Sequence, residues 1–382
     1  MCYASKKYVF YVLSGIFLLM MTTIAHAVLT GQCSNCHTMH NSQGGAEMTT
    51  FTDYTLTSPA TAQPYLLRGT CLGCHAQGTA NKIESISGSD VPQVLHNDPS
   101  GDLAGGNFIY QIGGGKGGAG SDKKGHNLVD FGVGNMDTPA QPPGRRHDIG
   151  SIDTLFTCAG SRGCHGIRGG QGRGLESIKG SHHGNVDGQL SDADTVANSY
   201  RFLYYVIGLE NTNAGASKWQ NVDATNHNEY FGATEPMDFD STGCNTCHDG
   251  ITPNRPNNKT MSGFCATCHG YFHLFDDDSG REGVIINDRV PPYSPFKRHP
   301  TDVVLPGGGE YAAIAGYSVV TPVARTTPPT VIDAGVSASD AVMCLSCHGA
   351  HATNFYKMLR WDIKGPLATA ISGCGNCHTG KN

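Results

Sequence analysis

Paired cysteines followed at once by a histidine recur along the chain. In the stretch 343–351 two cysteines stand two residues apart, His348 directly follows the second, and His351 comes three residues later. C-x-x-C-H is the attachment signature of a c-type haem, in which each thiol bonds to a porphyrin vinyl group and the histidine binds the iron. His351 stands too close to serve the opposite face of the same iron. We therefore expect it to bind the iron of a neighbouring haem.

The signature occurs six times in regular form and once with five residues between the thiols. In chain order the motifs are motif 1 (Cys33, Cys36, His37), motif 2 (Cys71, Cys74, His75), the stretched motif 3 (Cys158, Cys164, His165), motif 4 (Cys244, Cys247, His248), motif 5 (Cys265, Cys268, His269), motif 6 (Cys344, Cys347, His348) and motif 7 (Cys374, Cys377, His378). Disulfides and zinc sites also use paired cysteines, but neither requires a histidine after every second one. The six regular motifs predict six haem c groups. Motif 3 predicts a seventh, with a disulfide or a singly attached haem as its alternatives.

The chain contains more histidines than the motifs use. Ten of its 18 histidines lie outside both the motifs and the N-terminal residues, enough to give seven irons a second ligand. Met39 and Met343 lie against motifs and are badly placed for the opposite face, so we predict two histidines per iron and low potentials. The predicted second ligands are His40, His126, His183, His227, His273, His299 and His351, and His96, His147 and His182 are left undecided.

The supply of histidine favours electron transfer over catalysis. A catalytic haem needs an open or exchangeable iron position, as in multihaem nitrite and hydroxylamine enzymes. Such enzymes often replace the motif histidine by lysine, and none of the seven motifs does so. We therefore predict an electron carrier and no catalytic residues. An oxidoreductase with an open iron at His165 and a haem store or scaffold are the alternatives.

The polypeptide is poor in residues that build an ordinary hydrophobic core. Glycine accounts for 51 of the 382 residues, hydrophobic residues for 38% and charged residues for 15%, a composition close to that of disordered chains. Seven porphyrins would supply the missing apolar surface, so we expect folding to depend on the cofactor, as in small metalloproteins. The chain has no block of lysine and arginine, and we predict no nucleic-acid partner.

The N-terminal residues have the pattern of a secretory signal. Two lysines precede an apolar run, and Ala25-His26-Ala27 has the small–x–small pattern of a cleavage site. We predict that residues 1–27 are removed, which leaves one multihaem domain at 28–382 and moves the formal net charge from −6 to −8. An uncleaved anchor is the alternative. Because no later segment is apolar enough to span a bilayer, we predict a secreted protein without a stable membrane anchor, extracellular or on the outer surface, otherwise periplasmic.

The elements that position the motifs are predicted to be short. We expect the fold class of a multihaem cytochrome c, with mostly loops, short α-helices and little β structure around a stacked chain of haems. A helical turn is expected at each motif. The best candidate for a longer helix is 192–209, where Val196, Leu203 and Ile207 recur at helical spacing after Asp192.

Several stretches of the chain are similar to those of a known family. They are 33–45, 65–75, 124–127, 298–300 and 344–352. On these stretches the chain resembles the multihaem c-type cytochromes of Geobacter-type metal-reducing bacteria, including the OmcS-type cytochromes that polymerise into extracellular filaments. The stretches touch both ends and the middle of the chain, whereas the long loops do not align.

The resemblance implies a role in extracellular electron transfer, with redox proteins or extracellular acceptors as partners. It also implies a homopolymer, because in such filaments the histidine matching His40 binds a haem of the next subunit. This chain departs from the family in its additional motif, in the long spacer of motif 3, and in having no histidine soon after His165. His182 or His183 is the expected replacement. A monomeric periplasmic carrier would have the same motifs and remains the alternative.

Overall fold

A computed structural model describes most of the chain after the N-terminal segment. The described residues are 32–37, 42–43, 46–47, 50–52, 55–57, 64–67, 70–77, 80–86, 89–131, 142–143, 156–167, 174–184, 189–190, 195–211, 218–234, 259–269, 272, 299–314 and 316–380. The predicted signal at 1–27, the whole of motif 4, and His40, His147 and His273 lie outside them.

Irregular backbone makes up most of the described chain. The α-helices are Cys71–His75, Ile109–Ile112, Ser181–Gly184, Met261–Ala266, Cys344–Cys347, Leu367–Ala370 and Ser372–Gly375. Single turns of 3-10 type occur at Cys33–Asn35, Pro64–Leu66, Gly115–Gly117, Asp122–Lys124, Val129–Phe131, Gly174–Ile178, Tyr200–Phe202, Gly309–Tyr311 and Tyr356–Met358. Within the described residues, no helix has the length and apolar character needed to cross a bilayer. The prediction of a loop-rich multihaem cytochrome fold with short helices is confirmed.

One six-stranded sheet joins the middle of the chain to its C-terminal third. From edge to edge its strands are Val303–Val304, Ala341–Val342, Ala324–Arg325, Glu229–Phe231, Gly208–Leu209 and Gln189–Leu190. The two central strands, Ala324–Arg325 and Glu229–Phe231, run parallel, and the other neighbours are antiparallel. Separate two-stranded pairs are Ser42–Gln43 with Ala46–Glu47, Thr50–Thr52 with Thr55–Thr57, Ile83–Ile86 with Ser89–Pro92, and Thr157–Ala159 with Gly163–His165.

The buried apolar residues form several small clusters, and each of the larger ones lies against a motif. One cluster contains Met261, Phe264 and Leu345, from the helices of motifs 5 and 6, and packs against Cys164. A second contains Leu72 from the helix of motif 2 and packs against Cys158. Because a cluster borders each of these cysteines, the apolar packing of the polypeptide positions the attachment sites.

A helical turn forms at each regular motif that the structure describes. The histidine N–H donates to the carbonyl of the first cysteine at His37, His269, His348 and His378, over 2.8–3.0 Å, and motif 2 is itself the helix Cys71–His75. Motif 3 differs, so the expectation of a helical turn there is wrong. Its halves Thr157–Ala159 and Gly163–His165 are extended and pair with each other. The two strands run parallel, and the spacer that connects them contains Gly160, whose φ of +93° is readily adopted only by glycine.

The helix predicted over 192–209 is not formed in its described part. Tyr200–Phe202 is a single turn in which Arg201 and Phe202 have φ values of 55° and 57°, and Gly208–Leu209 is a strand. Left-handed residues cannot continue a right-handed helix. The Arg201 carbonyl instead accepts a hydrogen bond from His165 over 2.7 Å, and this long-range contact outweighs a weak helical periodicity.

Candidate haem-ligating site

Each motif histidine that the structure describes holds its Nδ1 atom against an oxygen. The acceptors are the carbonyl of Tyr65 for His37 (3.1 Å), of Pro92 for His75 (2.9 Å), of Arg201 for His165 (2.7 Å), of Pro143 for His269 (2.7 Å) and of Lys357 for His348 (2.9 Å), and the Glu310 carboxylate for His378 (3.1 Å). These oxygens only accept, so Nδ1 carries the proton and donates it. Nε2 is therefore the nitrogen left to bind a metal.

Three of these carbonyls belong to the same unusual turn. Tyr65, Arg201 and Lys357 have φ values of 58°, 55° and 56°, and the residue after each is also left-handed. A leucine follows in all three and forms an isolated β-bridge to the motif histidine or the residue after it. Left-handed backbone costs about 1–2 kcal/mol per non-glycine residue and persists only where the surroundings fix it. Its recurrence indicates that the turn serves to orient the histidine ring.

Five described motif histidines face a second histidine across a constant gap. The ring centres are 6.1 Å apart for His37 and His183, 6.3 Å for His75 and His182, 6.2 Å for His165 and His351, 6.2 Å for His269 and His126, and 6.1 Å for His378 and His299. A metal bound between two imidazoles lies about 2.0 Å from each nitrogen, and each nitrogen lies about 1.1 Å from the centre of its ring. The two ring centres are then roughly 6.2 Å apart. The five pairs therefore fit an iron atom between two imidazoles.

One short helix places a histidine opposite each of two motif histidines. In Ser181–Gly184 the adjacent His182 and His183 point to motif 2 and motif 1, respectively. Both residues were considered as replacements for the ligand missing after His165. The structure instead brings them to His75 and His37. Because neighbouring residues of one helix serve both, motifs 1 and 2 must lie side by side.

A close approach of three segments positions His351 and His126. The His351 N–H donates to the Gly105 carbonyl over 2.7 Å, and the His126 N–H donates to the His351 carbonyl over 3.1 Å. A side chain at Gly106 would place its Cβ 2.1 Å from the Ala352 carbonyl oxygen. Glycine is therefore required there, and the segments of motif 6 and His126 are locked together. This arrangement brings His351 opposite His165 of motif 3 and His126 opposite His269 of motif 5.

The half-buried second histidines favour the neutral, metal-binding form. Burial lowers the pKa of His182 to about 4, and the neighbouring His75 and His183 lower it further. Burial and then His269 lower the pKa of His126 to about 4. Burial and then His165 lower the pKa of His351 to about 3. These imidazoles are uncharged at neutral pH, as a metal ligand must be.

The described motif cysteines form no disulfide bonds, and this includes Cys158 and Cys164 of the stretched motif. Burial raises the pKa of Cys71 to about 11 and that of Cys347 to about 12. Apolar surroundings of this kind disfavour a thiolate and suit an uncharged thioether. Among the described residues, no group of three or more His, Cys, Asp or Glu side chains is arranged to hold a metal ion by itself.

Two histidines outside the motifs are buried among other partners. The ring of His227 stacks on Tyr317 with centres 3.6 Å apart, and its Nε2 lies 3.0 Å from the Glu229 carboxylate. Nδ1 of His96 accepts from the Asp98 N–H over 3.2 Å. Both residues are at most 1% exposed. The structure does not bring the predicted ligand His227 to a described motif, because a buried carboxylate takes its Nε2.

Motif 6 differs from the five paired motifs. His348 is exposed, and in the part of the chain that the structure describes no second histidine faces it. His248 of motif 4 lies outside that part, as do His40, His147 and His273. Sequence reasoning left His182 undecided and did not foresee the oxygen acceptors. The three turns do have a recognisable sequence, in which Pro or Tyr is followed by any residue, an apolar residue and Leu.

Comparisons with known proteins agree with this arrangement of motifs. A family model for a doubled CXXCH motif matches residues 336–382, which contain motifs 6 and 7. The C-type cytochrome OmcS of Geobacter sulfurreducens is 25% identical over 415 aligned residues, which cover 94% of this chain and 86% of that protein. The predicted resemblance is confirmed. The chain is similar to OmcS over nearly its whole length and has the attachment motifs of a multihaem c-type cytochrome.

Two solved structures also show similarity. An Outer Membrane Cytochrome S filament from the same organism has a TM-score of 0.45 and 18% identity, and the match covers 93% of this chain and all of that one. A structure described as OmcS nanowires has a TM-score of 0.43 and 20% identity, with the same coverage.

Proposed function

We propose that this chain is an electron carrier that holds haem c groups between pairs of histidines. The observation that carries the proposal is the pairing of five motif histidines with a second histidine at a distance that fits one iron. When bound, haem c supplies an iron that gains and loses one electron. An iron with two histidine ligands has no position for a substrate. His351 facing His165 argues against the open iron that an oxidoreductase would need at motif 3.

The proposed ligand set follows from these pairs. The motif ligands are His37, His75, His165, His248, His269, His348 and His378, and the second ligands for five of them are His183, His182, His351, His126 and His299. Motifs 4 and 6 then need one histidine each, and His40, His147 and His273 are available. His227 and His96 are left out because they are buried among other partners.

We also propose an order for the motifs along the path. Motif 1 neighbours motif 2 through the helix Ser181–Gly184. Cys158 packs against the apolar cluster that contains Leu72 of motif 2, which supports motif 3 as the neighbour of motif 2. The joined segments of His351 and His126 make motif 5 the next neighbour of motif 3.

The remaining end of the path lies at the C-terminus. The Arg360 N–H donates to the Cys347 carbonyl over 2.8 Å, and the ring of the next residue, Trp361, lies against Gly373, which supports motif 7 as the neighbour of motif 6. His351 follows His348 by three residues, so motif 6 is also close to motif 3.

The spin state of the resting protein tests the proposal. Two histidines at every iron predict a ferric spectrum that is low-spin throughout and unchanged by added cyanide or nitrite. Electron paramagnetic resonance of the purified mature protein measures this. A high-spin signal from about one iron in seven, together with tight binding of cyanide or nitrite at that iron, would favour the oxidoreductase instead.

We further propose that the chain assembles into a homopolymer through His40, outside the cell or on its surface. The proposal is supported by the similarity of motif 1 to the filament-forming relatives and by the exposed His348, which faces no second histidine among the described residues. A histidine from another subunit would bind that iron and join the two molecules with one bond.

The variant His40→Met tests this assembly. It should retain every attached haem, show one altered iron, and give short polymers or none under electron microscopy. His147→Met is the comparison, because it removes another histidine that is available as a ligand and should leave the length of the polymers unchanged. Normal polymers of His40→Met with every iron still bound by two histidines would contradict the junction role and favour a discrete periplasmic carrier.

A further inference from the structure

Motif 7 differs from the other described motifs in the group that holds its histidine. At motifs 1, 2, 3, 5 and 6 the acceptor for Nδ1 is a neutral backbone carbonyl. At motif 7 it is a carboxylate oxygen of Glu310, 3.1 Å from Nδ1 of His378. The side chains of Glu310 and His378 are each 22% exposed, so the pair is largely but not fully shielded from solvent.

The main chain fixes the place of this carboxylate. The Glu310 carbonyl accepts from the Gly380 N–H over 2.9 Å and from the Thr379 hydroxyl over 2.8 Å. The Ala313 N–H donates in turn to the Thr379 hydroxyl over 3.3 Å. The turn Gly309–Tyr311 is therefore joined to the residues that follow His378 in addition to the side-chain bond. The Glu310 carboxylate is held beside the ring by this framework.

We propose that Glu310 is a positioning residue that lowers the reduction potential of the iron at motif 7. The inference rests on the proposed function, because it requires an iron between His378 and His299. A carboxylate that accepts from Nδ1–H makes the imidazole a more basic ligand than a carbonyl does. Reduction adds one electron to the ferric site, and the negative charge of Glu310 disfavours that addition.

A lower potential at motif 7 would affect electron transfer between motifs 6 and 7, at the C-terminal end of the proposed path. Arg360 and Trp361 connect the Cys347 carbonyl of motif 6 to Gly373 beside motif 7, and the histidine of motif 6 donates to the neutral Lys357 carbonyl. The two neighbouring sites thus differ in the charge next to their ligands. An electron on motif 7 would pass readily to motif 6, whereas the reverse step would be opposed. Glu310 therefore gives the terminal site a donor role toward the rest of the chain.

A redox titration of the variant Glu310→Gln tests this inference. Glutamine keeps an oxygen acceptor and removes the charge. The ratio of ferrous to ferric iron at a fixed potential should rise about tenfold at one haem, which corresponds to about 59 mV for one electron. About one seventh of the absorbance change on reduction should then occur at a higher potential than in the wild type. Glu310→Asp, which keeps the charge, should move it less.

The control is Glu176→Gln, which removes the same charge from an exposed side chain of the turn Gly174–Ile178. It should leave the titration unchanged. A Glu310→Gln titration that superimposes on the wild type, or an equal shift in Glu176→Gln, would overturn the inference. Intact mass and spin state of each variant separate this outcome from failure of the proposed function, because both would remain those of a protein with two histidines per iron.

Discussion

Replacement of His351 by alanine is expected to give one five-coordinate, high-spin iron while every haem stays attached. His351 faces His165 with ring centres 6.2 Å apart, and attachment at motif 3 depends on Cys158 and Cys164 instead. The ring of Phe108, 5.0 Å from that of His351, is apolar and cannot replace the lost ligand. Electron paramagnetic resonance should assign about one seventh of the ferric iron to the high-spin form.

The matched control is His227→Ala. His227 is also a histidine outside the motifs, but it is buried against Tyr317 and Glu229. Its loss leaves a buried carboxylate with one partner fewer and should lower stability without changing the spin state of any iron. A His351→Ala protein that is low-spin throughout, or a high-spin iron in His227→Ala, would show that the ligands of motif 3 are assigned wrongly.

Removal of motif 3 is expected to interrupt the path in its middle. The double variant Cys158→Ser with Cys164→Ser should carry one haem fewer than the wild type. Cys158 of motif 3 packs against the cluster of Leu72 in motif 2, and His165 faces His351, whose segment is bonded to that of His126, so motif 3 is the proposed bridge between motifs 2 and 5. Electron transfer from one end of the chain to the other should therefore fall steeply, as measured by stopped-flow reduction or by conductance.

The corresponding double variant of motif 7, Cys374→Ser with Cys377→Ser, provides the comparison. It also removes one haem, but from the end of the proposed path, so transfer between motifs 1 and 6 should persist. Equal haem content in the motif 3 variant and the wild type would mean that Cys158 and Cys164 carry no haem. Equal losses of transfer in both variants would contradict the proposed order.

The haem c attachment motifs could be predicted because the spacing of the thiols and the adjacent histidine are local properties of the sequence. The loop-rich fold was predictable for a related reason, since 51 glycines and few apolar residues leave little material for long elements. The partner of each motif histidine was not predictable in the same way. His351 and His165 are far apart in sequence, and their meeting depends on the close approach at Gly106.

At two places the structure differs from what the sequence pattern suggested. The apolar spacing after Asp192 suggested a helix, but Arg201 and Phe202 are left-handed so that a carbonyl reaches His165. Likewise His227 looked available in a polar loop, and the fold buries it against Tyr317. In both cases a contact distant in sequence outweighed a local preference, which periodicity alone does not reveal.

The intact mass of the purified mature wild-type protein tests the central claim most directly. Each thioether-bound haem adds a fixed mass to the polypeptide, so the measurement counts the attachment sites without any assumption about ligands or order. A chain that begins at Val28 and carries seven haems is the expected result. A mass with six haems would contradict the assignment of motif 3, and a mass without covalent haem would contradict the account of this protein as a multihaem electron carrier.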